Sequence, residues 1–185
     1  YLNKFTNRFV LHKPQEEFNI RTGIYGAITY ESPEDLWIAT EGYGLLNYNK
    51  RTNESHYYLI DPSVRFAFNT NIIKSVFYED GYVWCGTTKG EIYKFNIKTK
   101  KFSLYHQYPI EYSIYSIIRD HNGVLWVGGA STEFGLTCFV NDSLVTTFYN
   151  NVDEPIYFSN VRCILEEEDG VFLLGSTAEG LLRFA

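Results

Sequence analysis

Glu79-Asp80-Gly81-Tyr82-Val83-Trp84-Cys85-Gly86-Thr87 is the stretch whose reading decides the fold. It reads as an acidic Gly turn, an apolar-aromatic strand, and then small residues. A short apolar strand around Ser75-Val76 precedes it, and a Gly-containing loop follows at Thr88-Lys89-Gly90. The phrase recurs as Ala27-Ile28 with Asp35-Leu36-Trp37-Ile38-Ala39-Thr40, and as Ser116-Ile117 with Asn122-Gly123-Val124-Leu125-Trp126-Val127-Gly128-Gly129. A last copy is Cys163-Ile164 with Asp169-Gly170-Val171-Phe172-Leu173-Leu174-Gly175-Ser176. Trp37, Trp84, Trp126 and Leu173 are equivalent, spaced 47, 42 and 47 residues apart. A strand-built period within roughly 40–50 residues marks sheets repeated about an axis.

Each unit resolves into four strands. The first alternates apolar with small or polar residues and ends in a turn such as Asp80-Gly81 or Asn122-Gly123, where Gly and Asn tolerate the positive φ of a tight hairpin. The second, Leu36-Trp37-Ile38 and its copies, is apolar on consecutive positions, as a strand covered on both faces must be. The third is Leu45-Leu46-Asn47-Tyr48, Ile92-Tyr93-Lys94-Phe95, Leu136-Thr137-Cys138-Phe139 or Leu181-Leu182-Arg183-Phe184. A polar turn, clearest at Asn96-Ile97-Lys98-Thr99, leads to the fourth. The fold expected is therefore all-β: a β-propeller of about four blade-equivalents, each of four antiparallel strands.

Asn3-Lys4-Phe5-Thr6-Asn7-Arg8-Phe9 repeats the offsets of the turn into a fourth strand. Residues 1–18 are thus expected to give the closing strand of a preceding blade. Blades follow at 19–61, 62–109 and 110–152, and 153–185 form a blade lacking its last strand. The ends could clasp into a small ring, or the chain could be an arc of a larger propeller. The phase of the repeat, with no initiator Met and no signal peptide, favours the arc.

Composition narrows the function. Aromatic residues make up 18% of the chain, led by 16 Tyr and 14 Phe, a bias suited to strands. A net charge of −6 leaves no basic surplus for nucleic acid. Apolar runs are too short to span a bilayer as a helix, so no membrane contact by this segment is expected. The three cysteines, Cys85, Cys138 and Cys163, have no metal-like spacing and read as small buried hydrophobes in strands. His12, His56, His106 and His121 do not cluster and read as surface or edge residues. Glu166-Glu167-Glu168-Asp169 lacks the spaced ligands of a calcium loop and reads as a solvated turn. His-Glu-x-x-His, Gly-x-Ser-x-Gly and P-loop patterns are absent. Hence no catalytic residue, metal site or cofactor is expected.

The phrase Glu79-Asp80-Gly81-Tyr82-Val83-Trp84-Cys85-Gly86-Thr87, with Asp35-Leu36-Trp37-Ile38-Ala39-Thr40-Glu41-Gly42-Tyr43-Gly44-Leu45, resembles the two-component regulator propeller repeat. The copies depart from it at Ser32-Pro33-Glu34 in place of a turn Gly, at Glu91 in place of a Gly, in an insertion before Gly135, and at Leu173 in place of Trp. The resemblance implies the periplasmic sensor region of a Bacteroides-type hybrid two-component system, upstream of a membrane helix and a histidine kinase. It implies an oligosaccharide as stimulus. Quinone-dependent propeller dehydrogenases fit less well, because Thr99-Lys100-Lys101-Phe102 lacks their Gly and Trp.

In a propeller, the loops entering each first strand and those between second and third strands share one face around the channel mouth. Concave places with aromatic walls and a few polar groups favour small ligands. The candidate ligand-binding residues there are Arg21, Tyr25, Tyr43, Lys74, Lys89, Tyr115, Glu133, Phe134, Tyr157 and Arg162. Their mixture of aromatic planes and charges suits sugars, whose ring faces lie on aromatics while hydroxyls bond to charged groups. The expected partners are an oligosaccharide or other small ligand, the remaining blades of a parent chain, and a second copy as a homodimer. Two other functions fit a propeller: a protein-interaction scaffold, and a propeller lyase or hydrolase.

Overall fold

The structure is a computed structural model that describes residues 25–64, 71–131, 135–148, 160–168, 170–177 and 179–184. The expected N-terminal strand at 1–18 and His12 lie outside the described residues. Among the described residues, fifteen strands form four antiparallel sheets in simple up-and-down order. The first sheet holds β1 (Tyr25–Tyr30), β2 (Asp35–Thr40), β3 (Leu45–Asn49) and β4 (Ser55–Tyr58). The second holds β5 (Ile73–Glu79), β6 (Tyr82–Thr87), β7 (Glu91–Asn96) and β8 (Lys101–Gln107). The third holds β9 (Ser113–Arg119), β10 (Leu125–Ala130), β11 (Leu136–Val140) and β12 (Ser143–Phe148). The fourth holds β13 (Val161–Glu168), β14 (Val171–Ser176) and β15 (Gly180–Phe184). The leading strands pack in series, β1 on β5, β5 on β9 and β9 on β13, so the sheets are blades ranged about one axis. This is the expected all-β propeller.

The turns follow the sequence chemistry. Asp80 and Gly81 both adopt positive φ, 46° and 79°, as a two-residue hairpin whose twist matches its strands requires. At the first hairpin, which lacks the usual Gly, Ser32 does the work instead. Its Oγ accepts the Asp35 amide at 3.0 Å and donates to Asp35 Oδ2 at 3.0 Å. The acidic residues of these turns have a second task. The Trp37 indole donates to Glu31 at 3.1 Å, Trp84 to Glu79 at 3.1 Å and Trp126 to Asp120 at 2.9 Å. A buried indole N–H needs such an acceptor, which is why an acid precedes each Trp by five or six residues.

Three apolar seams hold the blades together. Trp37 packs with Val76, Val83 and Phe95 of the second sheet; Trp84 packs with Ile114, Ile117 and Phe139 of the third; Trp126 packs with Val161, Ile164 and Phe172 of the fourth. Burying one such ring contributes roughly 4–6 kcal/mol from its area. Where sheets approach closest the chain allows no side chain: a Cβ at Gly128 would stand 2.7 Å from Val161 Cγ1. Polar contacts pin the same seams, with Ser75 Oγ donating to the Ile114 carbonyl at 3.0 Å and Arg119 Nε to Glu79 Oε1 at 2.5 Å.

One expectation needs correction and another is sharpened. Cys85 and Cys138 are buried but Cys163 is exposed. It occupies the position of Ser75, on the face that the next sheet covers in the first three blades. Among the described residues nothing covers that face of the fourth sheet, and Leu165 and Leu181 are exposed beside it. His106 lies on the outermost strand β8, as an edge residue, but is not fully open to solvent. It is half-buried, its ring edge-on to Tyr108 at 4.6 Å and to Phe139 of the third sheet at 5.0 Å, because the next blade overlaps β8. Burial pushes its pKa down.

Candidate functional site

The pairing of each leading strand with its neighbour is irregular at one shared place, and β13 has a second irregularity between Glu166 and Glu168. Ile73 faces Thr87 and Ser75 faces Gly86, which leaves Lys74 without an opposite residue. Ile114 faces Gly129 and Ser116 faces Gly128, leaving Tyr115. Val161 faces Ser176 and Cys163 faces Gly175, leaving Arg162. In the first sheet the pairing skips between Tyr25 and Ile28, where Gly26 holds the equivalent position. A β-bulge of this kind inserts an unpaired residue and re-aims its side chain, and such bulges are frequent beside functional sites. All four sit where the chain enters a leading strand, at the end expected to hold the channel mouth.

The side chains at these bulges meet partners from neighbouring blades. The Lys74 ammonium pairs with the Glu41 carboxylate, and Glu41 itself bridges to Ile72 through its backbone. The Arg162 guanidinium lies over the Tyr115 ring, 3.7 Å from its centre. At Gly26 no side chain projects, and an added Cβ would stand 3.2 Å from the Lys74 carbonyl oxygen.

Beside the mouth, between the first two blades, lies a cleft of about 190 Å³ lined by Asp61, Asn71, Thr87, Lys89, Glu91 and Tyr93, among others. Asn71, buried and at positive φ, shapes its wall: its Oδ1 accepts the Asp61 amide at 2.9 Å and its Nδ2 donates to the Val64 carbonyl at 3.2 Å. Glu91 accepts from the Thr87 hydroxyl at 3.0 Å and the Tyr93 hydroxyl at 3.2 Å. Burial, and then the charge of Glu91, push the Tyr93 pKa up to about 12, so Tyr93 stays a neutral hydroxyl. Hydrogen bonds from Ser63 hold the Asp61 carboxyl below its usual range.

The sequence-derived candidates divide accordingly. Lys74, Tyr115 and Arg162 come together as bulge residues. Lys89 lines the cleft and is exposed. Tyr43 is half-buried, edge-on to Tyr57 at 6.3 Å, and belongs to the outer part of the first blade. Tyr25 enters β1 and is described as backbone alone. Arg21, Glu133, Phe134 and Tyr157 lie outside the described residues. Sequence reasoning missed Glu41 as the partner of Lys74, and Asn71, Asp61, Glu91 and Tyr93 as the cleft. Among the described residues no three His, Cys, Asp or Glu side chains gather as a metal site.

A propeller with this loop face defines the class, and comparison with known proteins refines it. The family model described as two component regulator propeller matches residues 109–131, a stretch spanning the start of the third blade. No curated protein matches the sequence. Among solved structures, the chain is similar to the extracellular domain assigned to a hybrid two component system, BT3049, of B. thetaiotaomicron. Identity is 22%, with 96% of this chain and 25% of that chain covered and a TM-score of 0.70. It is also similar to the extracellular domain of BT4673 from the same organism, at 20% identity, 87% and 21% coverage and a TM-score of 0.67. The computationally designed Ika4 protein shares the fold at 10% identity, 90% and 93% coverage and a TM-score of 0.60. The chain spans about a quarter of the length of the two bacterial domains. No helix among the described residues is long and apolar enough to cross a membrane.

Proposed function

We propose that this segment is part of the periplasmic sensor of a hybrid two-component regulator and that it binds an oligosaccharide at the channel mouth without catalysis. The observation that carries the reading is the bulge repeated in every leading strand. It brings unlike side chains, Lys74, Tyr115 and Arg162, to one rim while the blades behind them stay alike. The similarity to the extracellular domain assigned to the hybrid two component system BT3049 supports the sensing role. The mechanism is differential binding: a ligand that prefers one arrangement of the propeller shifts the equilibrium toward it, and a downstream histidine kinase reads the shift. The adjoining cleft, smaller than the roughly 300–1,000 Å³ of a drug-sized site, would take one sugar unit.

The test is thermal unfolding of the chain against a panel of glycan fragments. A ligand at a hundredfold excess over its Kd stabilises by about 2.7 kcal/mol, or roughly 5–11 °C for a chain of this size. Tyr115→Ala should remove the shift. A panel with no shift overturns the sensing reading, and turnover of any member overturns the absence of catalysis.

A further inference from the structure

The inference concerns the ligand class at the rim and rests on the reading just given. Arg162 is exposed, carries a planar guanidinium with five donors, and holds the guanidinium carbon over the Tyr115 ring, 3.7 Å from its centre. Contact with the ring restrains the group, and a guanidinium edge matches a carboxylate through two parallel hydrogen bonds. Its position is one of the four bulges.

The carboxylates that the described residues bring to this face are committed elsewhere. Glu41 pairs with Lys74, Asp61 accepts from Ser63, and Glu91 accepts from Thr87 and Tyr93. Glu111 and Glu179, on loops of the same face, are exposed and form no ion pair with Arg162. Lys74 adds a second cation at the neighbouring bulge but one, and its charge is balanced by Glu41. Among the described residues the rim thus offers an exposed cation without a carboxylate partner, an aromatic ring beneath it, and a bulge at Gly26 that holds no side chain.

We propose that the rim recognises a carboxylate-bearing sugar, with Arg162 taking the carboxylate in a bidentate grip and Tyr115 fixing the guanidinium plane. Calorimetric titration of the chain with matched trimers tests this: trigalacturonate against galactotriose, and triglucuronate against maltotriose. At least one acidic trimer should bind roughly tenfold or more tightly than its neutral counterpart, with affinity falling as salt rises. Arg162→Gln should erase that preference while leaving the unfolding midpoint unchanged, and Arg162→Lys should restore only part of it, because a point charge lacks the fork. Equal binding of acidic and neutral trimers, or a preference that survives Arg162→Gln, overturns the proposal and leaves oligosaccharide sensing standing. Absence of binding by the acidic trimers alongside a shift from a neutral glycan in the thermal panel overturns it equally. Absence of any glycan binding overturns both.

Discussion

Gly86→Ala probes what sets the spacing of the blades. Gly86 lies in β6 facing the leading strand of the next sheet. A Cβ there would stand 2.4 Å from both Ile114 Cγ2 and Ser75 Oγ, and 2.7 Å from Ile114 Cβ, against an optimum of roughly 3.5–4.0 Å. Neither neighbour can yield freely: Ile114 is fully buried, and Ser75 is tied to the Ile114 carbonyl. Overpacking of this kind costs about 1–3 kcal/mol, while the stiffer backbone of Ala in a strand recovers about 0.5–1 kcal/mol. Contacts as short as 2.4 Å fall in the upper part of that overpacking range, about 2–3 kcal/mol, so the net loss expected is about 1–2.5 kcal/mol, a fall in Tm of about 2–10 °C at this chain length. Thermal and urea unfolding followed by Trp fluorescence measure it. The first sheet carries Ala39 at this position, fully buried in the seam with Ile73, and there Ala27 replaces Ser75 so that the crowding hydroxyl is missing. A second variant makes the argument sharper. Ile114→Ala alone costs about 2–5 kcal/mol, but it deletes the clashing methyl, so the double variant should lose less than the sum by about 0.5 kcal/mol or more. A Gly86→Ala protein as stable as its parent, or strictly additive losses, would refute the reasoning.

Three further outcomes follow from contacts already described. Glu79→Gln keeps an oxygen for the Trp84 indole but removes the charge facing Arg119, so it should cost less than about 1 kcal/mol and lose its effect at high salt, whereas Glu79→Leu, which also orphans the buried indole, should cost about 1–3 kcal/mol; chemical unfolding at two salt concentrations separates them. His106 has a buried Nε2 with no hydrogen-bond partner and a pKa pushed below its usual 6.5 by burial. The unfolded chain therefore takes up the proton first, stability is fully present above pH 6.5 and declines as pH falls through the folded value, and His106→Phe should flatten the midpoint profile just below pH 6.5, which a pH series of melts would show or deny. Cys163 should react with a thiol reagent in the native protein while Cys85, whose thiol burial pushes far up, and Cys138 react after unfolding; three equivalents released at native-state speed would contradict the buried placement of the latter two.

The blades were legible because their chemistry is local and repeated. Trp84 with its acidic hairpin, Gly86 with its crowded neighbour, and Asp80-Gly81 with its positive φ each leave a fixed mark at a fixed offset. The rim was legible only in outline. Lys74, Tyr115 and Arg162 could be placed at the entry to the leading strands, but their shared status as bulge residues depends on cross-strand register. One signal did exist: Ile73 and Val76, Ile114 and Ile117, and Val161 and Ile164 are buried in common seams although three residues apart, where a regular strand would space them by two. The Glu41–Lys74 pair and the cleft around Asn71 join residues from different blades, and their sequence separations of 33 and 10 carry no periodic trace. The burial of Cys163 and His106 was not legible for the same reason: it is decided by whether a neighbouring blade lies across them.

The bulges have a consequence for how such a chain can change. A residue outside the hydrogen-bond ladder and outside the apolar seams answers to neither, so substitution at Lys74, Tyr115 or Arg162 perturbs the scaffold little, whereas a side chain at Gly26 would press on the Lys74 carbonyl oxygen. The side chains of the proposed binding rim and those that hold the blades then fall on separate residues within one strand. Three sites with independent choice of side chain span on the order of 10⁴ rims on a single set of blades, from twenty residue types at each bulge. A repertoire of that size can be searched by point mutation alone, with each intermediate still folded.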